Sequence, residues 1–146
     1  MSEINKKIIG PVSKIIEKNS FAFLATLMED GSPHVSPVWI DFVDNIILIN
    51  TAKGRIKQRN VSRDPRVSIS LIDDENPYSM VTIRGKVIEQ TSIGADEHID
   101  KLAKKYLNAE KYPGHSPNLE RVILRIKPEK IFYLPPRYEQ YLKKKE

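Results

Sequence analysis

Short apolar runs, each closed by turn-forming residues, constrain this chain more than any other feature. Phe21-Ala22-Phe23-Leu24-Ala25-Thr26-Leu27 ends in Glu29-Asp30-Gly31-Ser32, where Asp-Gly supplies the positive φ of a tight hairpin. The return run, residues 34–42, reads as one strand and ends at Asp44-Asn45, a second turn into Ile46-Ile47-Leu48-Ile49-Asn50-Thr51. Three such runs in succession describe an antiparallel meander. Pro37 interrupts the second with a residue that has no N–H to donate. Its strand therefore needs an edge, a bulge, or a neighbour that is not another strand, and a ligand could be that neighbour.

The pattern continues beyond the meander. Residues 66–72 form a fourth strand and residues 78–89 a long fifth, with Gly85 marking a bulge or a close backbone approach. Residues 120–127 alternate through Val122, Leu124 and Ile126, and residues 131–134 make a further strand before Pro135-Pro136 forces an extended exit. Two stretches have helical period instead. One covers residues 8–18, inside an N-terminal helical region of residues 1–19. The other covers residues 94–107, where Asp96 and Glu97 come early and Lys104 and Lys105 late, as the helix dipole prefers. The expected class is mainly β with flanking helices, an antiparallel barrel-like pattern. At 146 residues the chain should be one domain, 1–146, with a C-terminal tail over residues 135–146.

Composition narrows the function classes. No window approaches the roughly 18 consecutive apolar residues of a membrane span, and the N-terminus shows no signal-peptide pattern, so a cytoplasmic protein is expected. The absence of cysteine excludes disulfides, thiolate zinc sites and a Cys nucleophile. His34, His98 and His115 lack ligand-like spacing, so no metal site is expected. There is no Gly-x-Ser-x-Gly elbow, no Gly-x-Gly-x-x-Gly and no Walker loop. If the protein is an enzyme, a bound cofactor carries the hard chemistry.

The net charge of +5 favours an anionic partner, and its excess is concentrated in two places: residues 53–66 and the tail Lys143-Lys144-Lys145. Six Lys or Arg fall within residues 53–66, with Asp64 the one acid. This segment reads as a short helix between two buried strands, stopped by Asp64-Pro65. Strand ends and helix N-termini present N–H groups without partners, and Thr51 with Arg55 or Lys57 would add a hydroxyl and a charge-assisted donor for a phosphate. A solvated basic face is the plainer alternative. Nucleic acid is not expected as a partner, because a reader of it would more often carry a continuous basic stripe with interleaved aromatics.

Leu24-Ala25-Thr26, the run from Asp30-Gly31-Ser32-Pro33-His34-Val35-Ser36-Pro37-Val38-Trp39, then Arg55-x-Lys57-x-x-Asn60, Arg63-Asp64-Pro65-Arg66-Val67-Ser68 and Leu134-Pro135-Pro136 together resemble the pyridoxamine-phosphate-oxidase-like family. Within it the chain is most similar to the small flavin- and deazaflavin-dependent oxidoreductases. The resemblance covers about residues 20–137. It implies a split β-barrel of the FMN-binding type, Greek-key-like, and a homodimer with the cofactor at the subunit interface. The cofactor would be FMN or the deazaflavin coenzyme F-420, and hydride would pass to or from a small organic substrate. The family's phosphate positions fall on Arg55 and Lys57, with Asn50, Thr51 and Asn60 nearby. Ser36, Pro37, Val38 and Trp39 match the strand along the flavin ring. Trp39 belongs either in the pocket or in the core, and Tyr78 either in the pocket or in dimer packing. Arg55 and Lys57, about 200° apart on an ideal helix, reach one phosphate only if Arg55 sits at or before the helix start.

The resemblance assigns no catalytic acid or base. No Arg-x-His motif follows His115, which argues against vitamin B6 synthesis, and the same absence weakens the haem-degrading relatives. A flavin carrier or sensor of the same fold is the nearest rival reading, and a basic nucleic-acid-binding barrel is a more distant one.

Overall fold

A computed structural model of the chain describes residues 3–5 and 7–142. Eight strands, β1 (Glu3–Asn5), β2 (Ala22–Leu27), β3 (Pro33–Val38), β4 (Asp41–Val43), β5 (Ile46–Ala52), β6 (Arg66–Ile72), β7 (Met80–Thr91) and β8 (Arg121–Leu134), alternate with three helices, α1 (Gly10–Glu17), α2 (Ile56–Arg63) and α3 (Ala95–Leu107). Every strand pairing is antiparallel. The strands run in the order β3-β2-β6-β7-β8-β5-β4, and β1 pairs with the C-terminal part of β8. β3 and β4 stand at opposite ends of that order, yet only Trp39 and Ile40 separate them in the chain. Such a link spans at most about 11 Å, so the sheet has to curl until its two ends meet. The ends meet without a β3–β4 ladder, which leaves a half-barrel with a seam.

That seam corrects the single strand expected over residues 34–42. The Ile40 N–H donates to Tyr106 Oη at 3.1 Å and the Ile40 carbonyl accepts from Lys105 Nζ at 3.1 Å. Side chains of α3 thus serve the backbone that a neighbouring strand would otherwise serve. Pro37 is accommodated because β3 is an edge that pairs only with β2, Pro37 facing Phe23. The turn at Asp44 and Asn45 has positive φ at both residues, 51° and 65°, the geometry of a two-residue hairpin loop.

Two other expectations change. The strands expected over residues 120–127 and 131–134 are one strand, β8, of 14 residues. It passes through Pro128 because Pro128 faces Gly85 where the β7–β8 register shifts, and a Cβ on Gly85 would run into the Lys127 carbonyl oxygen. At the N-terminus the helical region is shorter than residues 1–19, since α1 spans Gly10–Glu17 and β1 precedes it as a strand. Met1, Ser2, Lys6 and the basic tail over residues 143–146 lie outside the described residues.

The core follows from strand alternation. Ile47 and Ile49 of β5, Ile69 of β6, Ile83 of β7 and Leu124 and Ile126 of β8 point inward and are fully buried, and Val12, Ile15 and Ile16 of α1 join the same cluster. Each such side chain contributes about 1.5–3 kcal/mol. α3 builds a second layer: Ile99, Leu102 and Ala103 are buried outside that cluster, as are Leu48 and Ala52, which alternate with Ile47 and Ile49 on the other face of β5. Among the described residues no helix covers the remaining outer face of the sheet. There the register aligns Pro37, Phe23, Ser70, Thr82 and Phe132 in one uncharged row across five strands, with Phe23 49% and Phe132 36% exposed.

Candidate functional site

The seam and the second layer together make a groove. β3 ends in Pro37 and Val38, the link adds Trp39, β5 adds Asn50, the turn into α2 adds Arg55, and Phe21, Ile99, Tyr112 and Arg121 complete the walls of a space of about 180 Å³. Trp39 is both pocket and packing. Its ring stacks on Tyr106 at 5.1 Å and 4°, and meets the edge of Tyr112 at 5.9 Å. Tyr106 is fixed in turn by its hydroxyl, which accepts from Ile40 N and donates to the Ser20 carbonyl at 3.1 Å. Tyr112 lies in the loop after α3, where Asp100 accepts its backbone N–H at 2.7 Å and pairs with His115 at 2.7 Å.

Two cations, Arg55 and Arg121, line the groove, and a third, Lys57, lies within electrostatic range of both. Gly54, at φ +92°, turns the chain out of β5, and Arg55 is the N-cap of α2 in extended conformation, φ −70° and ψ 158°. Arg55 is therefore outside the helix and Lys57 is in its first turn, the condition under which both could face one phosphate. The first N–H groups of α2 have no intrahelical acceptor, and no side chain caps them. Arg121, the first residue of β8 and 6% exposed, faces Ala52 across the ladder. Burial lowers the pKa of Lys57, and the nearby Arg55 and Arg121 charges lower it further. Burial likewise lowers that of Arg121, which also feels Arg55. Among the described residues none of the three cations has a carboxylate within 4.0 Å. The Arg121 Nε–H donates to Asn50 Oδ1 at 2.9 Å and its guanidinium lies over Tyr112 at 5.2 Å, while its buried Nη1 has no partner.

The other residues picked from the sequence are distributed differently. Thr51 follows Asn50 in a strand and so points to the opposite face, inward with Ile47 and Ile49; its buried Oγ1 is unpartnered. Ser36 shares the face of Val38, and its Oγ is also buried without a partner. Asn60 is spent on the fold: its Nδ2 donates to Thr26 Oγ1 at 2.9 Å and its Oδ1 accepts from Arg63 Nη2 at 2.8 Å, tying α2 to β2. Tyr78 packs edge-on against Tyr138 beside the C-terminal end of β8, where Ser79 Oγ donates to the Leu134 carbonyl. It stands the length of β8 away from Arg121 and does not reach the groove within one chain. Of the remaining basic residues, Arg66 forks onto Asp64 at 2.7 Å and 3.0 Å, Arg63 also donates to the Leu27 carbonyl, and Lys53 faces Glu120.

Phe21, Ile99, Tyr112 and Arg121 escaped the sequence reading. Arg121 left one trace there, its place on the face opposite Val122, Leu124 and Ile126 at a strand start. Tyr112 left less, being a lone aromatic in a loop rich in Pro and Gly.

The sequence profile of the pyridoxamine 5'-phosphate oxidase family matches residues 11–135, and the chain belongs to that family. Among solved structures it is similar to one described as an F420 reductase, at 26% identity and TM-score 0.74, covering 82% of this chain and 94% of that one. A putative pyridoxamine 5'-phosphate oxidase from Listeria innocua shares the fold at 22% identity and TM-score 0.64, with 85% and 95% covered. General Stress Protein 26 from Bacillus anthracis shares it at 19% identity and TM-score 0.61, with 86% and 92% covered. The fold is accordingly the split barrel of that family. No helix among the described residues is long and apolar enough to cross a membrane.

Proposed function

We propose that the protein is a cytoplasmic flavin- or deazaflavin-dependent oxidoreductase whose cofactor is held by a phosphate at Arg55, Lys57 and Arg121. The observation that supports this most is the cluster itself. Arg55 and Arg121 both lower the proton affinity of Lys57, none of the three cations has a carboxylate within 4.0 Å among the described residues, and one buried guanidinium nitrogen is unpartnered, so the cluster suits an anion better than it suits the protein's own stability. The uncapped α2 N-terminus adds N–H donors and the favourable end of a helix dipole. Pro37, Val38, Trp39 and Tyr112 border the same groove and offer flat apolar surface to a ring system. These residues fit a phosphorylated aromatic cofactor.

Bound there, a flavin or deazaflavin would supply the hydride chemistry. The chain's own residues would orient it and exclude water, and the groove lining contains no carboxylate or histidine to act as acid or base. Coenzyme F-420 is favoured over FMN by the likeness to the F420 reductase, while the net charge of +5 suits the anionic group of either.

A homodimer belongs to the same reading. The groove of about 180 Å³ is below the ~300 Å³ at which ligand pockets usually begin, so one protomer offers only part of a cofactor site. Phe21 and Pro37 line the groove and also continue the uncharged outer face around Phe23, Thr82 and Phe132. A second copy on that face would cover it and close the groove, and Tyr78 could then reach a site only across the interface.

Equilibrium titration of the purified protein with FMN and with F-420 tests the proposal. Saturable binding of one, followed by its reduction and reoxidation with added substrates, is the expected result. Binding without turnover would indicate a carrier, and binding of neither would overturn the reading.

A further inference from the structure

Arg121 is aimed by a chain of hydrogen bonds that runs back through α3 to Asp41. Its Nε–H donates to Asn50 Oδ1 at 2.9 Å. Asn50 Nδ2 donates to the Ala95 carbonyl at 2.9 Å and lies 3.1 Å from His98 Nδ1, and His98 Nε2 lies 3.1 Å from Asp41 Oδ2. The two ends fix every polarity between them. A guanidinium nitrogen can only donate, so the amide oxygen of Asn50 has to face Arg121; a carbonyl can only accept, so the amide nitrogen has to face Ala95. That nitrogen then offers its second hydrogen to His98 Nδ1, which is left as an acceptor with the ring proton on Nε2, donated to Asp41. His98 is 8% exposed and does not line the groove.

The geometry points to His98 as a positioning residue that, by accepting a hydrogen bond from Asn50, keeps the Asn50 oxygen on Arg121 and so sets the guanidinium in the anion site. This rests on the reading that Arg121 binds the cofactor phosphate. The charged groups around His98 are Asp41 of β4, Lys101 and Lys105 of its own helix, both within range of Asp41, and Arg121 of β8, reached through Asn50. A second proton on the imidazole would set Nδ1–H against the Asn50 N–H. Rotating the amide to relieve this would turn its NH₂ onto Arg121 Nε–H and lose the bond to Ala95. The neutral imidazole is thus the state in which Arg121 is held, and protonation of His98 weakens anion binding through two intervening residues.

The test separates this from the binding reading. In ligand-free protein, ¹⁵N NMR reports the His98 tautomer and the Arg121 Nε–H signal across pH, and FMN and F-420 titrations report affinity. The expected results are a proton on Nε2, an Arg121 Nε–H signal that shifts as His98 titrates, and an affinity that falls with the same titration. His98→Gln supplies an acceptor for Asn50 and a donor for Asp41 and cannot titrate, so it keeps the affinity and flattens its pH dependence. His98→Leu removes the acceptor and weakens binding about tenfold, the scale of one charge-assisted hydrogen bond. In an Arg121→Ala background His98→Leu has no further effect. A proton on Nδ1, a His98→Gln variant as weak as His98→Leu, or an undiminished His98→Leu effect without Arg121 would each overturn the proposal. If the wild type binds neither cofactor, the phosphate reading fails, and the tautomer with the Arg121 signal still decides the relay.

Discussion

Lys57 and Arg121 lie within electrostatic range of each other, neither with a carboxylate within 4.0 Å among the described residues, although they come from different elements, α2 and β8. Such an arrangement opposes folding and favours an anion, so the two properties should separate on mutation. Lys57→Gln is expected to raise the stability of the ligand-free protein by a few tenths to about 1 kcal/mol. It should weaken cofactor binding about tenfold or more, the value of a charge-assisted hydrogen bond. Thermal melts with and without FMN or F-420 check both.

The same residue sets a pH dependence. Burial, then Arg55 and Arg121, hold the Lys57 ammonium below the usual lysine value. Between the folded and unfolded values the unfolded chain binds more protons, so folding stability rises as pH rises through the folded value. Urea melts in the alkaline range should show that rise in wild type and its absence in Lys57→Gln.

On the acid side Asp41 of β4, half-buried against His98 of α3, is a contributor that can be isolated. Burial alone would raise its carboxyl, but His98 and Lys101 outweigh burial and hold it below the usual carboxylate value. Its contribution is present above the unfolded value and lost as pH falls through the folded one. Asp41→Asn should flatten the acid limb of the stability profile, measured by urea midpoints from neutral pH downward.

The seam gives a mechanical prediction. Tyr106→Phe removes the hydroxyl that joins Ile40 N to the Ser20 carbonyl and should cost about 1–3 kcal/mol. Trp39, the one tryptophan of the chain, stacks on that ring, so its fluorescence should change in the folded state as well. Gly85→Ala, by contrast, should destabilise by about 1–3 kcal/mol through the clash with the Lys127 backbone and leave Trp39 emission unaltered.

What could be read from the sequence was what is local. The strand over residues 66–72 is β6 itself, the turn expected at Asp44-Asn45 is there, and Arg55 falls at the helix start as a shared phosphate would require. What could not be read depends on partners distant in the chain. The break at Trp39 and Ile40 exists because Tyr106 and Lys105 satisfy that backbone from α3. Pro128 continues β8 because Gly85 lies opposite. Asn60 has the family spacing, but its amide is spent on Thr26 and Arg63. One separation was available from alternation alone: Asn50 and Thr51 are neighbours in a strand and cannot share a face. Arg121 and its orientation by Asn50 and His98 emerge only when β5, β8 and α3 are brought together.

The most direct measurement is a cofactor titration of the Arg55→Ala/Lys57→Ala variant against wild type, read by quenching of Trp39, with circular dichroism to verify the fold. Saturable binding to wild type and none to an equally folded variant is the predicted result. Unchanged affinity in the variant would contradict the assignment of this cluster to the cofactor phosphate.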